Sequence, residues 1–383
     1  MWNLCAGFRV DARHRGSGWF AAAIMRHDRE SAVLPDQPGV KRGRLARRDL
    51  ATLPDSDLLR CRFCELPIGL ANTPVAVRVR RLFAELGRRR IKCKPTIWLS
   101  EEWFNPDGVV GFAIPFYLAH PRLVRLERDM MFEAEGAADH ECMRILRHET
   151  GHAIDEAFQL HRRADYARVF GSPRRPYPTS YSVEPVSREY VVNLNAWYAQ
   201  AHPVEDFAET FAVWLGSKRW AARYHGWPAL KKLQQIDNWM TTFAGRQPLR
   251  TRSEPVETLE RNERTLAQHY REKRAFYRIA DTTQYDGALQ RLFPPPARGG
   301  GRRRNAMASQ FLRSLRVPVR RKASDPLGVP AYVVDQILRR FARRARALDL
   351  RVTRHSDETT EALIKLVTRA TISVLKDGQS LPL

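Results

Sequence analysis

Apolar and polar positions along the chain alternate between two periods. Between 73 and 90, Val75, Val77, Leu82, Phe83 and Leu86 fall on one side of a helix whose other side is strongly basic. From 95 to 126 the period shortens: 95–99, 108–114 and 122–126 read as short strands separated by Asn-Pro-Asp-Gly and His-Pro turns. From 138 to 158 the helical period returns, with Met143, Ile145, Leu146, Ala153, Ile154 and Phe158 available for packing. A helix opening at Pro203 carries Phe207, Phe211 and Trp214 on its packing side. Helical spacing recurs over 227–245 (Leu230, Leu233, Ile236, Met240, Phe243), in a charged helix over 256–277, and over 329–348 and 357–375. The pattern predicts an α+β fold that is mostly helical, with a small sheet leading into the 138–158 helix.

Composition divides the chain further. Residues 1–54 mix Arg, Gly, Pro and Asp with little periodicity and read as a poorly ordered basic arm. A main domain is expected over 55–292, a Pro/Gly/Arg linker over 293–305 and a basic helical region over 306–383. The net charge is +23, and 298–354 alone holds 16 Lys and Arg against three Asp. A charge of this sign allows contacts with nucleic acid or an acidic partner. Only Phe311, Tyr332 and Phe341 stand among these arginines, fewer aromatics than a single-strand binding surface requires, so a solvated face with weak polyanion binding is the expectation.

No run approaches the roughly 20 apolar residues of a membrane span, so no membrane association is expected. The first residues lack a basic start followed by an apolar run, and a cytoplasmic location is expected. Five cysteines, an odd number, suit reduced thiols better than a disulfide framework. Cys61 and Cys64 form a single Cys-x-x-Cys; a structural zinc site needs a second pair, so two small buried thiols are expected.

The chemistry concentrates in the 138–158 helix. Residues 148–152 read His-Glu-Thr-Gly-His. Four residues apart on a helix, His148 and His152 share a face and can send both imidazoles to one metal ion. Glu149 stands beside them, where a carboxylate can hold and deprotonate a water. Gly151 costs helix stability, so its presence asks for a close approach by another element.

A catalytic zinc needs a third protein ligand and an open position. A third histidine six residues after His152, with glycine halfway, is ruled out: Asp155 and Phe158 occupy those places. The 203–215 helix supplies carboxylates instead. Glu205 and Glu209, four apart on a largely apolar helix, are unfavourable together unless a cation sits nearby. Glu205 is assigned as the third ligand and Glu209 as the acceptor of a ligand histidine's second nitrogen, with the swapped assignment open. Asp155 is a further candidate for such support. Tyr198, seven residues before Glu205, is the candidate donor to a developing oxyanion, with Tyr181 and Tyr190 as alternatives. Phe112, Ile114 and Phe116 are expected to line the substrate cleft.

Several stretches between about 60 and 290 resemble the bacterial family of zinc-binding metallopeptidases. They are Trp98-Leu99-Ser100-Glu101-Glu102-Trp103-Phe104, Ile114 to Pro121, Arg144 to Ala153, and Trp197 to Pro203 running into Glu205-Asp206-Phe207-Ala208-Glu209-Thr210-Phe211. The last stretch is also similar to the glutamate helix of the lethal-factor type of gluzincin. There the first Glu of the E-x-x-x-E pair binds zinc and a Tyr seven residues upstream assists catalysis, roles that the resemblance carries to Glu205 and Tyr198. Some relatives carry an N-terminal zinc ribbon; with one Cys-x-x-Cys this chain gives no ground for it. The resemblance implies a zincin-like domain and Zn2+.

The expected function is a zinc-dependent metallopeptidase cleaving a peptide or protein substrate through a zinc-activated water, with Glu149 as general base. The alternative is a non-catalytic binding protein on a zincin scaffold. Its Arg-rich C-terminal region would take nucleic acid or an acidic partner.

Overall fold

Thr73 caps the first long helix, its Oγ1 accepting the Ala76 N–H at 3.1 Å, and Pro74 opens it. This helix, α1 (Pro74–Arg88), buries Val75, Val79, Leu82 and Leu86, whereas Val77 stays exposed on its basic side. The computed structural model describes residues 14–15, 50–178, 181, 184, 187–276, 283–296, 306–327, 331–353 and 357–376. Most of the expected 1–54 arm and residues 297–305 of the expected linker lie outside them.

Strands β1 (Thr96–Ser100) and β2 (Gly111–Pro115) pair in parallel, from Thr96 against Gly111 to Ser100 against Pro115. The connection turns back so that Phe104 bridges Ala113 on the other side of β2. Both edges of β2 are therefore paired at Ala113, and all five of its residues are buried. Phe112, Ile114 and Phe116 are fully buried, and Phe116 packs edge-on against Phe63, Tyr117 and His269. These three side chains are core, which corrects their expected place in a substrate cleft. Asn105 Nδ2 donates to the carbonyls of Gly111 and Glu149, both at 3.1 Å, and ties this corner to the helix of the histidines. Asn105 and Pro106 also pair antiparallel with Arg15 and His14.

Two further expectations are corrected. Residues 122–126 lie in a helix, α2 (Pro121–Met131), not a strand. Leu-Val-Arg-Leu fits either period, but His120 Nδ1 accepts the Arg122 N–H at 3.1 Å and Pro121 is preset for a first turn. The charged helix expected over 256–277 starts only at Leu266, and residues 252–257 before it are not helical. Their carbonyls are acceptors for the sheet, taking Val110 N–H, Trp98 Nε1–H and Ser100 Oγ–H.

Besides two short helices at Asp55–Arg60 and Trp220–Arg223, this part holds α3 (Asp139–Phe158), α4 (Ala164–Phe170), α5 (Pro203–Gly216), α6 (Ala229–Phe243) and α7 (Leu266–Phe276). Helix α3 is buried on every side from Ile145 onward, apart from a half-buried Arg147, which is why its apolar residues make no single stripe. It packs along α5. A Cβ at Gly151 would stand 2.9 Å from Ala208 Cα and 3.1 Å from the Ala208 carbonyl oxygen. The close approach that this glycine asks for is thus the crossing of α3 and α5.

Glu101, at the end of β1, is 7 % exposed. His269 Nδ1 lies 2.7 Å from it, and Asn262 and Arg264 also donate to it. Burial alone would raise this carboxyl; the His269 hydrogen bond and charge, and then Arg264, bring it down to about 2. A folded value below the ordinary carboxylate value of about 4.3 stabilises the fold above that pH, and the stabilisation is lost as pH falls towards 2. Glu101→Gln is therefore expected to lower stability by about 3 kcal/mol at pH 7. Urea unfolding at a series of pH values should show the gap between variant and parent closing between about pH 4.3 and 2. A gap independent of pH would rule out this charge as its source.

The chain divides into two compact units. One holds the described residues of Asn3–Met130 and Ala134–Arg271, the other those of Met131–Glu133 and Glu272–Pro382. The second contains α8 (Asp286–Leu292), α9 (Ala308–Ser314), α10 (Arg316–Leu327), α11 (Ala331–Ala347) and α12 (Asp357–Lys376). Helices α9 and α10 lie in the Arg-rich stretch: α9 buries Ala308, Phe311 and Leu312, whereas in α10 Val317 is exposed and Val319 and Ala323 are buried, too sparse a pattern to give a periodic signal. Within this unit Asp335, 1 % exposed, pairs with Arg316, Arg320 and Arg339, so part of the basic charge serves packing. Among the described residues no helix is long and apolar enough to cross a membrane.

Candidate metal centre and catalytic site

Helix α3 presents His148 and His152 one turn apart, and the packing of α3 on α5 brings Glu205 to them. His148 Nε2 and His152 Nε2 are 3.1 Å apart, and Glu205 Oε2 lies 3.1 Å from the first and 3.3 Å from the second. All three residues are buried. Among the described residues this is the group of His, Cys, Asp or Glu whose ligand atoms stand close enough together for a metal ion.

The donor chemistry fits zinc. His148 Nδ1 lies 2.8 Å from Glu209 Oε1. A carboxylate can only accept, so Nδ1 carries the proton and Nε2 offers a lone pair. Glu205 Oε1 accepts the Tyr177 O–H at 2.9 Å, which leaves Oε2 to face the imidazoles. Three electron-pair donors within 3.3 Å of one another repel unless a cation joins them. Tetrahedral zinc with bonds of about 2.0–2.1 Å spaces its ligand atoms roughly 3.3 Å apart, the size of this triangle.

Charge tells the same story. Burial opposes a charged His148, but the hydrogen bonds and charges of Glu205 and Glu209 drive its pKa well above the ordinary histidine value. Burial would raise the Glu205 carboxyl, yet His152 and His148 hold it well below the usual carboxylate range. The pocket is acidic and demands positive charge.

Glu209, fully buried, also accepts from Asn193 Nδ2 at 2.8 Å and from the Leu194 N–H at 2.7 Å. Burial pushes the Glu149 carboxyl up to about 8; His148 lowers it, and Glu205, Glu135 and Glu209 raise it further. Its Oε2 has no hydrogen-bond partner among the described residues. The Tyr198 ring lies 5.6 Å from the His148 ring and is buried. Tyr190 lies under the Lys232 ammonium, 4.2 Å from its ring centre, and Lys232 in turn pairs with Asp206 at 2.6 Å. Tyr181 is half-buried in the loop beyond Tyr177. Asp155 accepts the His161 N–H at 2.7 Å and lies 3.0 Å from His161 Nδ1, closing the turn after α3.

The structure thus brings together His148, Glu149, His152, Tyr198, Glu205 and Glu209, and sets Asp155 at the helix end. It adds Tyr177, Asn193 and His202, which the sequence patterns passed over. His202 had a readable signal: it stands directly before Pro203, at a helix N-cap. Cys61, Cys64, Cys93 and Cys142 are free thiols, and Cys61 Sγ–H donates to the Asp57 carbonyl at 3.2 Å.

No curated protein and no solved structure matches the chain. Residues 140–221, which take in the His-Glu-x-x-His helix and all of α5, match the family described as "Putative zinc-binding metallo-peptidase", the family that the motifs resemble, without distinguishing a lethal-factor type within it.

Proposed function

We propose that the chain is a zinc-dependent metallopeptidase of the gluzincin type, holding zinc with His148, His152 and Glu205. The observation that carries this reading is the buried triangle of two imidazole nitrogens and one carboxylate oxygen, with Glu149 on the same helix turn. Zinc bound there would supply a Lewis acid and a water acidic enough to ionise near neutral pH.

The protein's own residues do the rest. Glu149 takes the proton from the attacking water and passes it to the departing amine nitrogen. The burial that raises its pKa suits this exchange, because a group titrating near the working pH both accepts and returns a proton. Glu209 fixes the His148 tautomer so that Nε2 stays a donor. Tyr198, whose ring lies beside that of His148, donates to the oxyanion that develops on the scissile carbonyl. The substrate is a peptide or protein, and a cytoplasmic location is part of this proposal.

Metal removal tests the reading. The purified chain should hold about one zinc, lose cleavage of a peptide library on chelation and regain it when zinc is restored. A zinc-loaded protein that cleaves no peptide in the library, or a protein that takes up no zinc, would overturn it.

A further inference from the structure

Resting on the metallopeptidase reading, we propose that Tyr177 is a positioning residue for the third ligand, and that its stacking on His202 sets how tightly the site holds zinc. A carboxylate on a flexible side chain can rotate both oxygens away from a metal. Glu205 is restrained by one oxygen: Oε1 accepts from Tyr177 at 2.9 Å while Oε2 faces His148 and His152 at 3.1 and 3.3 Å. The phenol thereby selects which oxygen is presented.

Tyr177 is itself held on two sides. Its ring lies flat on the His202 imidazole, with centroids 3.9 Å apart and planes 16° from parallel. It also stands between Pro176 and Pro178, and a residue preceding proline is restricted to extended backbone.

His202 has its two nitrogens committed in opposite directions. Nδ1 accepts the Val204 N–H at 3.3 Å, capping α5. The proton therefore sits on Nε2, which donates to the Arg175 carbonyl at 2.7 Å. One buried imidazole thus clamps the first turn of α5, which carries Glu205, to the loop that carries Tyr177. Gly171 lets the loop begin there. Its φ is +97°, and a Cβ would stand 3.2 Å from Pro203 Cγ.

Outer partners of this kind typically change metal affinity by 10–100-fold. The zinc affinity of the full chain would be measured by competition with a chelator of known strength, for the parent and for Tyr177→Phe, Tyr198→Phe and His202→Asn. Cobalt(II) spectra of each would report ligand geometry. Phe keeps the stacking surface and loses only the hydroxyl. Tyr177→Phe is expected to weaken zinc about 10–100-fold and to shift the cobalt spectrum. Tyr198→Phe is expected to lower kcat and leave affinity as it was. His202→Asn keeps an N-cap side chain but removes the stack. It should weaken zinc in the parent and add little in the Tyr177→Phe background, since both act through one contact.

Parental zinc affinity in Tyr177→Phe, or fully additive effects of the two changes, overturns the proposal while leaving the metallopeptidase reading intact. A parent that binds no zinc removes both. Should Tyr177→Phe fold poorly, His202→Asn decides alone: unchanged affinity there overturns the proposal.

Discussion

Glu149→Gln removes peptide hydrolysis, with kcat falling about 10²–10⁴-fold, the usual size of a lost general acid–base group, while the protein keeps its zinc. The two halves of this result test different things. Gln has nearly the shape of Glu and leaves the backbone carbonyl of residue 149 in place for Asn105. Helix α3, its packing on α5 and the ligand triangle should therefore persist, and metal content should match the parent. What disappears is the ability to accept and return a proton. The measurement is cleavage of a library-derived peptide by zinc-loaded protein, alongside zinc per chain. A variant that cleaves at the parental rate would remove Glu149 from the chemistry. A variant that lost its zinc would mean that Glu149 helps to hold the metal.

Glu205→Gln and His148→Ala each weaken zinc a hundredfold or more. Structural zinc sites with four protein ligands bind with roughly 10–16 kcal/mol, so one ligand is worth about 3 kcal/mol, on the order of two decades in affinity. Glu209→Gln is the informative control. Glu209 lies 2.8 Å from His148 Nδ1, Asn193 and Leu194 also donate to it, and the triangle is built with the other glutamate. Its loss is expected to cost about 10–100-fold, the range for a group acting through a ligand. The order Glu205→Gln more damaging than Glu209→Gln, read by chelator competition, supports Glu205 as the ligand. The reverse order transfers that role to Glu209.

Much of this was legible in the residues alone, because helix periodicity is a local rule. His148, Glu149 and His152 within five positions, and Glu205 and Glu209 four apart, needed only the 3.6-residue turn to become two faces of one pocket. Gly151 announced a close approach without naming its partner. The partner, Ala208, depends on how two helices cross, and no local pattern encodes that. The 122–126 segment fits both periods, and a proline with a histidine cap decides for helix. The burial of Phe112, Ile114 and Phe116 depends on segments distant in the chain, such as Phe63 and His269, which pack on Phe116.

Tyr177 shows the limit most clearly. It sits in Ser-Pro-Arg-Arg-Pro-Tyr-Pro, a stretch with no period and no motif, 28 residues from the carboxylate that it holds. Spacing and charge along the chain are enough to give the two site helices, the chemistry on them and the need for a cation beside Glu205 and Glu209. Which carboxylate oxygen faces the imidazoles, and which distant side chains keep it there, is settled by the folded arrangement, because such contacts arise where chain segments meet in space rather than along the sequence.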